Sequence, residues 1–88
     1  MVYKVLLHPK ANAFLDTVED QLRSRMREGL LALGADPRKG TRLKHSDYWR
    51  LRIGEYRAIY EIDHVARTVI VLFLGHRKVV YDDFSRLL

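Results

Sequence analysis

The 88-residue chain contains no cysteine, so neither a disulfide scaffold nor a zinc–thiolate centre is open to it, and a reducing interior is permitted. Glycines number five and prolines two, and the glycines do not gather into a phosphate-cradling loop, so nothing indicates a nucleotide-driven enzyme. Long hydrophobic runs are also missing. The longest, Val69–Leu74, is far shorter than the roughly 20 residues that cross a bilayer. The apolar segments at both ends are too short and too charged for a signal peptide. His8, His45, His64 and His76 fall at no metal-ligand spacing. These absences predict a soluble cytoplasmic protein with no metal, no cofactor and no membrane association.

What is present points to one domain spanning residues 1–88, because 48% hydrophobic residues in a chain of this length fill a single modest core. The net charge is +5, and its placement matters more than its size. Seven Lys and Arg residues between Arg38 and Arg57 face only Asp47 and Glu55, whereas Phe14 to Gly34 carries three arginines and four acids. A local basic stripe on a small protein predicts a polyanionic partner, nucleic acid or an acidic protein. The plain alternative is a solvated basic face that aids solubility.

Val2–His8 reads as a first strand, and Pro9 suits the first turn of a following helix. Helix extends over Lys10–Leu33, with Leu15, Val18, Leu22, Met26, Leu30 and Leu33 at three- and four-residue steps on one face. Thr17 with Asp20 resembles a capping box and suggests a break near Asp16-Thr17, giving a helical hairpin. Gly34 suits a left-handed C-cap, and Pro37 prevents continuation. The polar, basic ADPRKGTRLKHSD reads as a loop. Three strands then follow, the last of them TVIVLFL (68–74), with Gly75-His76-Arg77 leaving the sheet. VVYDDFSRLL reads as an extended piece and a terminal helical turn. The fold class is α+β, with the helices on one face of a mainly antiparallel sheet.

The stretch YWRLRIGEYRAIYEID carries the functional signal. If Gly54-Glu55 is a two-residue turn, Ile53 faces Tyr56, Leu51 faces Ala58 and Trp49 faces Tyr60, all on the core side. Arg52 then faces Arg57 on the other side, with Arg50 diagonally near both. Like charges directly across a sheet cost a few tenths to ~1 kcal/mol. A bound anion converts that repulsion into charge-assisted hydrogen bonds, and guanidinium forks suit phosphate oxygens. The competing reading has the arginines splayed into water with Glu55 and Glu61 as counter-charges. Arg77, directly after the apolar strand, is a further candidate, while Tyr81 alone reads as a core aromatic. His45 and His76 carry imidazoles, a side chain that commonly transfers protons. Together with Arg42 and Lys44 of the basic loop, they complete the set of RNA-binding candidates.

The combination of R-x-R-x-G-x-Y-R-x-x-Y with a later GHR and a following tyrosine resembles the RelE/ParE toxin superfamily, particularly archaeal-type RelE toxins. The resemblance spans nearly the whole chain, from HPKA through the hairpin to the tail. It implies a RelE-like microbial RNase-type fold and a toxin of a type II toxin–antitoxin system. By the same resemblance, the activity is a metal-independent, ribosome-dependent endoribonuclease that cuts messenger RNA in the A site and so inhibits translation. It further implies that Arg50, Arg52, Arg57, Arg77 and Tyr81 form the catalytic set. The partners it implies are a RelB-like antitoxin, the ribosome and messenger RNA, with promoter DNA bound only through the toxin–antitoxin complex. The best-known bacterial pattern has lysines where Arg50 and Arg52 stand, which leaves the general base open among Tyr81, His45 and a ribosomal RNA group. A ParE-like gyrase inhibitor and a non-catalytic RNA- or ribosome-binding module of the same shape are the alternatives.

Overall fold

Alternation of apolar and basic residues makes the central hairpin, and the rest of the chain is arranged to cover one of its faces. A computed structural model describes residues 2–78. The elements run β1 (Lys4–Leu7), α1 (Pro9–Leu15), α2 (Asp20–Ala35), β2 (Thr41–Arg42), β3 (Tyr48–Ile53), β4 (Tyr56–Asp63) and β5 (Thr68–His76). They form a five-stranded sheet ordered β1-β5-β4-β3-β2. β1 and β5 are parallel and every other pairing is antiparallel. Both helices contribute to a core on one sheet face, an α+β arrangement. The tail reading and Tyr81 lie outside the described residues.

Met26, Leu30 and Leu33 of α2 are fully buried against Leu51, Ala58, Tyr60, Val69 and Val71. Each such side chain contributes about 1.5–3 kcal/mol over an exposed one. The break between the helices falls where the spacing predicts, but no capping box forms. Thr17 Oγ1 donates back to the Phe14 carbonyl (2.7 Å), and Glu19 is the α2 N-cap without a side-chain bond. With Glu19 as the N-cap, Asp20 is the first helical residue rather than the third, so neither Thr17 nor Asp20 stands where such a box requires it. Arg23 ties the joint instead. Its Nε donates to Leu15 O and its Nη2 to Val18 O, both at 2.8 Å, and its Nη1 to Asp20 (3.0 Å).

Gly34 is not a left-handed cap either, since α2 continues to Ala35. A Cβ there would stand 2.8 Å from Tyr3 O, so the missing side chain allows close approach of α2 to the chain entering β1, sealed by Tyr3 N–H donating to Gly34 O at 2.7 Å. The basic loop also holds one element that composition hides. Thr41 and Arg42 form an edge strand on β3, pairing Thr41 with Arg50 and Arg42 with Trp49. Two polar residues carry no periodicity, and only backbone pairing identifies them. The sheet also runs further than predicted. Gly75 and His76 remain in β5 opposite Arg57 and Tyr56, because β4 begins at Tyr56 and offers them partners. Between Ile59↔Phe73 and Tyr60↔Val71 the register slips, leaving Leu72 as a bulge.

Tyr60 is fully buried, with its ring stacked on Trp49. Its hydroxyl donates to Pro37 O (2.7 Å) and accepts from Gly40 N–H (3.2 Å), which straps the 37–40 segment to the sheet. Removing that hydroxyl leaves two backbone groups to find new partners, so Tyr60→Phe lowers stability by about 1–3 kcal/mol, measurable by urea unfolding. Burial raises the Tyr60 pKa above its ordinary 10.0, opposed by the Gly40 hydrogen bond and reinforced by the charge of Asp36. A folded-state pKa above the unfolded one contributes stability that is complete below pH 10 and is lost as pH rises through the folded value. The alkaline decline above pH 10 is therefore shallower in Tyr60→Phe than in the parent.

Candidate nucleic-acid interface

Gly54, at φ +60, closes the two-residue turn, and the register is the one that creates the arginine pair. Ile53↔Tyr56, Leu51↔Ala58, Arg52↔Arg57 and Trp49↔Tyr60 are all direct partners. Because directly paired residues share a face, Arg52 and Arg57 point away from the helices. Arg50 does so as well, opposite Ile59, which anchors a small second cluster with Leu43, Tyr48 and Phe73 on that side. The three arginines line one open groove of ≈380 Å³, whose other wall includes Lys39 and Thr41.

Within the groove Arg57 is held by its own turn. Its Nη1 donates to Gly54 O and to Tyr56 O, both at 3.0 Å. The Nε and Nη2 hydrogens form the other, side-on edge of the guanidinium, the edge that suits two oxygens of one phosphate or carboxylate. Among the described residues no carboxylate pairs with Arg52 or Arg57. Glu55 Oε2 lies instead 3.6 Å from His76 Nε2, which takes one of the two counter-charges of the competing reading away from the arginine pair. Arg52 is exposed and stands directly across from a like charge. Arg52→Ala therefore stabilises the free protein, by about 0.2–1 kcal/mol, seen as a higher urea midpoint at low salt and a smaller gain at high salt.

The remaining sequence-predicted residues do not gather here. Arg42 pairs with Trp49 and so shares the opposite face from Arg50. Its Nε donates to Ser46 O (3.1 Å), and its Nη2 stands 3.9 Å from Asp47. Lys44 and His45 are exposed in the β2–β3 connection, where His45 takes φ 61. His76 lies opposite Tyr56 on the helix side, its ring edge-on to that tyrosine at 5.9 Å, so the alternation of β5 separates it from the groove. Arg77 is exposed at the strand end beside the hairpin turn, where its N–H donates to Glu55 O at 3.1 Å. Sequence reasoning counted Lys39 in the basic stripe but did not assign it to the site. Its signal was its position two residues before the segment that pairs with β3.

This fold is shared with solved RelE toxins. The chain matches the RelBE2 toxin–antitoxin complex from Mycobacterium tuberculosis at 27% identity and TM-score 0.77, over 88% of this chain and 93% of that one. It matches the archaeal RelE–RelB complex from Pyrococcus horikoshii at 25% identity and TM-score 0.72, over 88% and 97%. The free E. coli toxin RelE, in a variant with two arginines replaced by alanine, superposes over 100% of both chains with TM-score 0.78, at 20% identity. Among curated proteins nothing matches the sequence. The family model described as "ParE toxin of type II toxin-antitoxin system, parDE" matches residues 5–81. The chain belongs to that family and, with the fold, to the RelE/ParE superfamily of type II toxin–antitoxin toxins.

Proposed function

We propose that the protein is a ribosome-dependent endoribonuclease that cleaves messenger RNA and is neutralised by a RelB-like antitoxin. The observation that carries this reading is the shared groove of Arg50, Arg52 and Arg57, with the side-on edge of Arg57 turned away from its own backbone contacts. In this chemistry the 2′-hydroxyl of the message attacks its adjacent phosphorus in line, closing a cyclic phosphate and expelling the 5′-oxygen of the next nucleotide. Negative charge grows on the non-bridging oxygens, where fixed guanidinium groups stabilise it. Arginine stays protonated, so the trio acts through charge and orientation, while the proton passes to Tyr81 or a ribosomal group, since His45 lies in the β2–β3 connection away from the groove. Arg77, at the end of β5, offsets charge on the phosphate or the leaving oxygen. Relatives crystallised with RelB antitoxins support an antitoxin partner, and the basic groove suits an acidic segment of one.

A second reading is inhibition of DNA gyrase by protein binding, favoured by the family model being that of ParE toxins. Purified protein incubated with programmed ribosomes, followed by primer extension, separates the two. Cleavage at the A-site codon that Arg77→Ala abolishes is the expected result. Intact message together with inhibited gyrase would establish the second reading, and intact message with ribosome binding a non-catalytic module.

A further inference from the structure

The wall of the groove opposite the arginines is not a free loop. Lys39 N–H donates to Asp36 O (3.1 Å), and the next residue, Gly40, donates to the buried Tyr60 hydroxyl. That hydroxyl also holds Pro37 O. Gly40 packs so closely on the backbone carbonyl of Arg50 that no Cβ fits there, and Thr41 then pairs with Arg50. The backbone on both sides of Lys39 is thus anchored, at a fixed offset from the strand that carries two of the three arginines.

We infer that Lys39 is a phosphate ligand of the single-stranded RNA in this groove, and that the Tyr60 hydroxyl positions it through the 37–40 strap. This deepens the nuclease reading and rests on it. The ammonium group is a compact charge on a flexible stem, unlike the planar forks across from it. Lysine therefore suits a neighbouring backbone phosphate, whose place shifts with sequence, while the arginines hold the reacting one. Lys39 is accordingly a binding residue and Tyr60 a positioning residue.

The test measures binding of the full chain to a short 2′-O-methyl single-stranded RNA, which cannot be cleaved, across a salt series. Each phosphate contact on single strands contributes about 0.7 to the slope of log K against log salt. Lys39→Ala is expected to lower that slope by about 0.7 and to weaken binding about 3- to 10-fold at 0.1 M salt. Tyr60→Phe is expected to weaken binding in the parent but to have no further effect in the Lys39→Ala background. If Tyr60→Phe weakens binding equally in both backgrounds, its role is general structure and the positioning claim fails. If Arg52→Ala lowers affinity and slope while Lys39→Ala changes neither, Lys39 is not a ligand and the nuclease reading survives. If neither variant alters binding, the groove is not the RNA site and both readings fall.

Discussion

Arg57→Ala is expected to slow A-site message cleavage by about 10²–10³-fold, the usual loss when one preorganised donor to a developing oxyanion is removed. The cost falls on the chemical step, so it should appear in single-turnover rates with saturating ribosomes. Arg57→Lys should recover only a small part. Lysine restores a positive charge, but not the orientation set by Nη1 on Gly54 O and Tyr56 O or the paired donors of the other edge. Both variants should fold: Arg57→Ala removes the repulsion across Arg52↔Arg57, Arg57→Lys adds none, and circular dichroism checks this. A cleavage rate unchanged in Arg57→Ala would rule out the proposed use of the groove.

The largest expected effect on stability comes from a residue with no side chain. Gly40→Ala places a methyl against Arg50 O and within 2.8 Å of the Tyr60 hydroxyl, and the strap has to lift from the sheet to relieve the overlap. Overpacking and the loss of the hydroxyl's bonds together cost about 2–4 kcal/mol, which lowers Tm by about 10–20 °C in a domain of this size. Differential scanning calorimetry reads the shift. Activity should also fall at temperatures where the variant remains folded, because the strap carries Lys39 and Thr41 forms part of the groove wall. A Tm within a few degrees of the parent would show that the 37–40 segment is not held as described.

Much of this geometry was legible because period-2 alternation and a two-residue turn leave little choice of register. Once Gly54-Glu55 is the turn, Arg52 must oppose Arg57, and the structure has that pairing. The helical stripe was equally readable from its spacing. What escaped was decided by backbone contact rather than pattern: the edge strand at Thr41–Arg42, the extension of β5 through Gly75, and the burial of Gly34 against Tyr3. The basic loop was misjudged for the same reason. Its charges are close in sequence, yet the pairing of β2 with β3 sends Arg42 to the face of Trp49, while Lys39 reaches the groove. Composition registers how many cations a segment holds, and pleating decides which of them meet.

The bulge at Leu72 has a consequence for the arginine groove. In an unbroken ladder extended from Tyr60↔Val71, Arg57 would lie opposite Leu74, whose isobutyl group would crowd the guanidinium. The one-residue offset substitutes Gly75, so the strand beside Arg57 contributes only main chain at that rung. Deleting Leu72 would keep Gly75 opposite Arg57, whereas pairing Leu72 with Ile59 in an unbroken ladder would bring the Leu74 side chain beside the Arg57 guanidinium. By leaving Leu72 outside the ladder, the bulge keeps a residue without a side chain beside that charge.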